Sequence, residues 1–148
     1  MFDSIAGLPV HPLVVHAVVV LAPLAALLLV TYVLKPAWQR GLQWPLLGLS
    51  TIAAISAFVA TQSGEALEHR VGEPGFDHAA RGDLAAISTY VMLGAVGAVI
   101  FWLAAPGKGR SWPAIVLGIG AAAFVLTAVI LAGHSGASSA WNGVITKN

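Results

Sequence analysis

Four long runs without a single Asp, Glu, Lys or Arg constrain what this sequence can fold into. A helix that crosses the hydrocarbon core of a bilayer needs about 20 apolar residues. The runs cover approximately residues 13–34, 44–61, 84–105 and 112–132. They lack the alternation of apolar and polar residues that a membrane-spanning strand requires. The sequence therefore predicts an all-α integral membrane protein with four spanning helices.

The composition agrees with this prediction and excludes several other classes of protein. Of the 148 residues, 58% are hydrophobic and 9% are charged, against about 25% charged in ordinary globular proteins. The formal net charge of +1 provides no basic surface for nucleic acid. The sequence contains no cysteine, which excludes disulfides, thiolate metal sites and iron–sulfur clusters. Histidine, present five times, therefore carries any soft-metal or redox chemistry.

Local signals predict the ends of the helices. Lys35-Pro36 ends the first helix, because proline offers no backbone donor and disfavours helical geometry in the residue before it. Gly133 and Gly136 are typical of the C-terminus of the fourth helix. No internal repeat is evident. We predict one domain, residues 1–148, forming an antiparallel up-down-up-down four-helix bundle with helices at approximately 12–34, 44–69, 78–105 and 112–133.

The connections between the helices predict the orientation. The two short connections, residues 35–43 and 106–111, together carry four basic residues and no acid. The longer connection, residues 63–83, carries five acidic residues and two basic ones. Because basic residues are concentrated in cytoplasmic loops, we expect the short connections inside the cell and both termini outside. Four of the five tryptophans lie near the inner ends, where an aromatic belt is expected.

All five histidines fall at one end of the predicted bundle. His11 and His16 begin the first helix, and the other three are near the ends of the later helices that return to the same side: His69, His78 and His134. A rise of about 1.5 Å per residue places His16 and His134 at a similar shallow depth, below His69 and His78. A helix interior already uses its backbone groups, so we expect a neutral imidazole at His16 to need a side-chain partner or a metal.

This one-sided set of histidines favours a bound cofactor. His16 and His134 are the predicted axial ligands of a b-type haem held between helices. Zinc or copper is the alternative, because imidazole binds both metals. The candidate metal ligands are His11, His16, His69, His78, His134 and Glu65. Two readings without a cofactor stay open: a proton relay, and histidines that each satisfy a helix end.

A structural or assembly subunit of a larger membrane complex, with no cofactor, is the alternative function. Small residues four apart let helices approach closely in a bilayer. Three such pairs occur: Ser50 with Ala54, Gly94 with Ala98, and Gly118 with Ala122. No nucleophile-and-base arrangement or phosphate-binding loop stands out, so the sequence predicts no catalysis of its own.

The opening segment GLPVHPLVVHAVVVLAPLA, residues 7–25, resembles the signature of a bacterial membrane family, domain-of-unknown-function family 2231. Its members begin with Leu-Pro-x-His-Pro-x-x-Val-His, and GHSGASSAW, residues 133–141, is similar to a closing motif of actinobacterial members. The resemblance implies a four-helix bundle in the bacterial inner membrane, with His11 and His16 as the motif histidines. Where relatives often have Phe-Pro-Ile after the second histidine, this sequence has Ala17-Val18-Val19, which implies a less tightly filled pocket.

Some members of the family are joined to cytochrome c-type domains. This association implies respiratory or cytochrome-type membrane proteins as partners, in addition to membrane lipid. The sequence leaves the oligomeric state open, and an oligomer is one of the alternatives. Together with the histidine set, the resemblance favours a haem- or metal-binding redox accessory protein.

Overall fold

Four long helices make up almost all of the described structure. The computed structural model describes the backbone of residues 4–5, 8–71 and 77–145, and the side chains of residues 10–66 and 78–138. The helices are α1 (Val10–Leu34), α2 (Gln39–Val71), α3 (Asp77–Ala98) and α4 (Trp112–Ile145). A short antiparallel pair of strands, β1 (Ser4–Ile5) and β2 (Leu8–Pro9), precedes α1.

The four helices form a bundle with a square cross-section. Helix α1 packs against α2 and α4, and α3 packs against the same two helices, so that α1 and α3 lie on a diagonal. The predicted all-α four-helix bundle is confirmed. All four helices are long and apolar enough to cross a membrane, and their outer faces therefore contact lipid.

Small and branched apolar side chains fill the space between the helices. Alanine is the commonest residue among the buried positions, which allows the backbones to approach closely. Gly118 marks a close approach of α1 and α4, since a Cβ atom there would lie 2.9 Å from Cγ1 of Val33. Of the predicted small pairs, Ser50 with Ala54 and Gly118 with Ala122 are buried, whereas Gly94 is exposed on the outer face of α3.

The end of the bundle opposite the histidines is closed by buried hydrogen bonds. The Tyr32 hydroxyl donates to the carbonyl oxygen of Ala104 at 3.0 Å, and Nε2 of Gln39 donates to the Tyr32 carbonyl oxygen at 3.2 Å. Helix α3 runs into a π-helical turn, Val99–Leu103, whose wider ring is closed by the Ala104 amide. Side chain and backbone thus tie the end of α1 to the end of α3.

Replacing Tyr32 by phenylalanine tests this connection. The ring stays in place but the buried carbonyl loses a donor, so we expect a loss of about 1 kcal/mol in the free energy of unfolding. Unfolding in mixed detergent, followed by circular dichroism, measures it. Tyr90→Phe is the matched control, because Tyr90 lies exposed on α3 and donates no hydrogen bond to any described residue. Equal losses of unfolding free energy in the two variants would show that the hydrogen bond from Tyr32 to Ala104 does not stabilise the bundle.

Exposed tryptophans surround the same end of the bundle. All four are among the most exposed large side chains that the structure describes: Trp38, Trp44, Trp102 and Trp112. The guanidinium of Arg110 lies 5.4 Å from the centre of the Trp112 ring, within the range of a cation–π interaction. Amphipathic rings in this position match an interfacial belt.

Three helices are longer than the sequence predicts, α1 by only two residues at its start. Helix α2 begins at Gln39 rather than near residue 44, directly after a 3₁₀ turn at Pro36–Trp38. Helix α4 continues to Ile145 instead of ending at residue 133. The prediction of a helix end at Gly133 and Gly136 is therefore wrong. Neither glycine adopts a positive φ, unlike Gly107 and Gly109 in the connection to α4.

Candidate functional site

His11 lies in the first turn of α1 and packs against α2. Its Nδ1–H donates to the carbonyl oxygen of Ala60 at 2.9 Å, and the hydroxyl of Ser63 lies 3.4 Å from the same nitrogen. A carbonyl oxygen only accepts, so Nδ1 carries the proton and Nε2 of the neutral ring keeps its lone pair. A Cβ atom on Gly64 would lie 3.0 Å from Cε1 of His11. Glycine at this position makes room for the ring.

His78 makes the corresponding contact between α3 and α4. Its Nδ1 lies 3.2 Å from Oγ of Ser135, and that hydroxyl donates to the Ala132 carbonyl oxygen at 2.9 Å. With its proton committed to Ala132, the Ser135 oxygen accepts from Nδ1–H of His78. A Cβ atom on Gly136 would lie 3.0 Å from Cε1 of His78. Gly136 therefore serves side-chain packing within α4 rather than its termination.

These two contacts are the histidine seams of the bundle. The first consists of His11 with Ala60, Ser63 and Gly64, and the second of His78 with Ala132, Ser135 and Gly136. Both lie at the end of the bundle where α1 and α3 begin, which we call the histidine end. The predicted grouping of histidines at one end is therefore present for the four whose side chains are described.

His16 is exposed on the outer face of α1. Its Nδ1–H donates to the carbonyl oxygen of Pro12, one turn earlier in the same helix. A helical carbonyl oxygen has a second lone pair, so it accepts this bond in addition to its backbone partner. The expectation that His16 needs a side-chain partner or a metal is therefore wrong for Nδ1, because a backbone carbonyl oxygen is the partner of this nitrogen. Its Nε2 retains a lone pair.

His134 is exposed on α4, directly before Ser135 of the second seam. The contact between Gly118 and Val33 sets the register of α4 against α1. From that contact to the histidine end, 17 residues lead to His16 and 16 residues lead to His134. At about 1.5 Å per residue, the two histidines lie at the same depth to within about one residue.

The predicted metal ligands whose side chains the structure describes do not form one cluster. No three His, Cys, Asp or Glu side chains of residues 10–66 and 78–138 are close enough to hold a metal ion. Glu65 is exposed on α2. The side chain of His69, which follows one turn later, lies outside the described residues. A zinc or copper site that includes His69 stays a prediction.

The seam partners are the residues that the sequence interpretation missed. From the sequence, Gly136 is interpreted as a helix end, and Ser63 is given no role. The available signal was the motif Ala-x-x-Ser-Gly, which occurs at residues 60–64 and again at residues 132–136. Each copy lies where a helix returns to the histidine end.

The comparison with known families agrees with this architecture. The family model described as predicted membrane protein, DUF2231, matches residues 7–148. The chain belongs to this family. The match spans both seams and all four helices of the DUF2231 bundle. No curated protein and no solved structure is detectably similar to the chain.

Proposed function

We propose that this DUF2231 protein is a redox accessory protein of the bacterial cytoplasmic membrane that binds a b-type haem through His16 and His134. The observation that carries the proposal is the equal depth of these two exposed imidazoles on adjacent antiparallel helices. Two imidazoles are a common axial ligand set for haem iron. The proposal places the histidine end on the extracytoplasmic side, following the positive-inside rule.

The hydrogen bonding of His16 is suited to a ligand. Histidines that bind metals usually donate the second ring N–H to a carbonyl or carboxylate, which fixes the tautomer and the ring orientation. The bond from Nδ1 of His16 to Pro12 has this arrangement and leaves Nε2 available. The ring of His134 has no hydrogen bond to any residue that the structure describes, so either of its nitrogens is available.

Apolar side chains flank each histidine on its own helix face. Val19 and Val20 lie one turn after His16, and Ile130 and Leu131 lie one turn before His134; all four are exposed. A porphyrin needs apolar surface for its faces and edges, and these side chains supply it. Because both histidines are exposed on adjacent helices, the proposal places the haem outside the core, at the boundary of the bundle with lipid.

Haem titration of the purified protein in detergent tests the proposal. We expect a Soret band and a reduced spectrum typical of two axial imidazoles. His16→Ala and His134→Ala should each lower the affinity at least tenfold. His78→Asn is the matched control, because it removes a histidine from the same end while keeping a donor near the position of Nδ1. A Soret band that is absent, or that survives both alanine variants, would overturn the proposal.

Zinc or copper at the same two histidines is the alternative cofactor. Both metals bind Nε2 of a neutral imidazole. Elemental analysis of the purified protein and titration with each metal alone separate this possibility from haem. If the protein shows no Soret band but binds zinc or copper stoichiometrically, and His16→Ala loses that metal, then the cofactor is the metal and not haem.

A structural subunit of a larger membrane complex is the second candidate function. Gly94 on α3 and Gly120 on α4 are exposed, and nothing lies within 4 Å of the position that a Cβ atom would occupy at either residue. Such positions let a helix of another protein approach closely. Copurification with membrane partners that tolerates alanine at both ligand histidines, but not Gly94→Leu or Gly120→Leu, would favour this function.

A further inference from the structure

We infer that the chain is a duplicated helical hairpin. In this duplication the outer face formed by α1 and α4 is equivalent to the outer face formed by α3 and α2, and only the first carries exposed imidazoles among the described side chains. On the other face, Gln62 and Asp83 occupy the ligand positions. The duplication rests on hydrogen bonds and packing and involves no cofactor. The statement about ligands rests on the proposed function and limits it to one haem per chain.

The two histidine seams are the first evidence for the duplication. Each joins the first helix of a hairpin to the second through a histidine Nδ1–H, a serine hydroxyl that donates to the carbonyl oxygen three residues earlier, and a glycine. In both seams the position of a glycine Cβ would lie 3.0 Å from a histidine Cε1. These three matched features are unlike the scattered contacts of unrelated helices. The main acceptor of the histidine N–H differs between the seams: it is the Ala60 carbonyl oxygen for His11 and the Ser135 hydroxyl for His78.

The burial pattern extends the equivalence along the helices. A shift of 67 residues relates His11 to His78, and a shift of 72 residues relates Ser63 to Ser135. With the first shift, every pair in one series of core positions of α1 and α3 is buried: Val18 with Ala85, Ala22 with Thr89, Ala25 with Met92, Leu29 with Val96, and Val33 with Ile100. With the second shift, the same holds for α2 and α4: Leu46 with Gly118, Ser50 with Ala122, Ala53 with Val125, and Ala57 with Val129.

The arrangement of the helices defines the symmetry. Both hairpins start at the histidine end, and α1 lies diagonally opposite α3. Repeats of this kind are related by a twofold axis along the bundle, parallel to the membrane normal. The axis moves α1 onto α3 and α4 onto α2. The face formed by α1 and α4 is therefore equivalent to the face formed by α3 and α2.

Applying the two shifts to the proposed ligands identifies their counterparts. His16 corresponds to Asp83, and His134 corresponds to Gln62; all four side chains are exposed. The apolar flanks correspond as well. Val20 (62% exposed) is matched by Ile87 (52%), and Ile130 (67%) is matched by Phe58 (57%).

The second face thus has the position and the apolar flanks of the first but lacks its nitrogen ligands. The carboxylate of Asp83 and the amide of Gln62 lack the imidazole nitrogen with which His16 and His134 would bind haem iron. Gln62 and Asp83 therefore restrict the ligand to one face. These two positions determine which of the two faces binds haem.

Cysteine pairs test the symmetry without any cofactor, because the chain contains no cysteine of its own. One variant carries His16→Cys and His134→Cys, and another carries Gln62→Cys and Asp83→Cys. We expect both pairs to be joined within one chain by the same shortest bis-maleimide linker. The diagonal pair His16→Cys with Asp83→Cys is the control and should need a longer one. Different shortest linkers for the two equivalent pairs would overturn the duplication.

A gain of haem binding tests the second half of the inference. We expect wild-type protein to bind one haem per chain and the double variant Gln62→His/Asp83→His to bind two. A variant that still binds one haem would overturn the role of Gln62 and Asp83. Wild-type protein that binds no haem would instead overturn the proposed function, while the cysteine pairs would still decide the duplication.

Discussion

Gly118→Leu is expected to produce the largest loss of stability of any single substitution considered for this bundle. Gly118 is buried where α4 crosses α1, and a Cβ atom there would lie 2.9 Å and 3.3 Å from the two methyl groups of Val33. Val33 and its neighbour Leu29 are themselves buried and have little room to move. Overpacking of this kind costs about 1–3 kcal/mol and forces backbone shifts. We expect a loss at the upper end of this range in detergent unfolding.

Gly120→Leu is the matched control for this prediction. Gly120 is on the same helix two residues later, but it is exposed and has open space at the position of a Cβ atom. A leucine there faces lipid, so we expect a change within about 0.5 kcal/mol. If both leucine variants unfold alike, the close approach of α1 and α4 at Gly118 is wrong. The equal depth of His16 and His134 would then lose its basis.

The second large effect is expected from the seam histidines. His11→Ala and His78→Ala each remove a hydrogen bond and leave the space of an imidazole ring beside a glycine. Loss of the bond and of the packing together should cost about 1–3 kcal/mol in each variant. The two seams share no residue, so the effects should add in the double variant. Detergent unfolding of the three variants measures both quantities.

Asparagine at the same positions separates the bond from the packing. The amide nitrogen of asparagine lies close to the position of Nδ1 in histidine, so His11→Asn and His78→Asn retain a donor while losing part of the ring. We expect each to recover roughly half of the stability lost in the alanine variant. Recovery in one seam but not in the other would show that the seams are not equivalent. No recovery in either would show that ring packing, rather than the hydrogen bond, holds the seams together.

The histidines show which features of the candidate site can be predicted from the sequence and which cannot. Once four spans are recognised, antiparallel connection alone places His11, His16, His78 and His134 at the same end. Depth along each helix also follows from the sequence, because each residue adds about 1.5 Å. Whether an imidazole faces the core, a neighbouring helix or lipid depends on how each helix is rotated. No single apolar run determines this rotation, because almost every side chain within it is apolar.

The duplication is also difficult to predict from the sequence, because it depends on which residues are buried. The two hairpins share few identical residues beyond the seams, and the shifts that relate them differ, 67 residues for the first helices and 72 for the second. Beyond the repeated Ala-x-x-Ser-Gly motif, similarity appears only when buried positions are compared with buried positions. Burial is a property of the packed bundle, so the sequence alone shows no more of the repeat than this five-residue motif.

The amino-acid sequence by itself determined that this protein has four membrane-spanning helices and that its histidines gather at one end. The physical reason is that a bilayer requires about 20 apolar residues per span and that every span reverses the direction of the chain. Only the tertiary structure decided which histidines join helices and which remain exposed. Those outcomes depend on helix rotation and register, which close contacts such as Gly118 with Val33 and Gly64 with His11 establish between segments far apart in the chain.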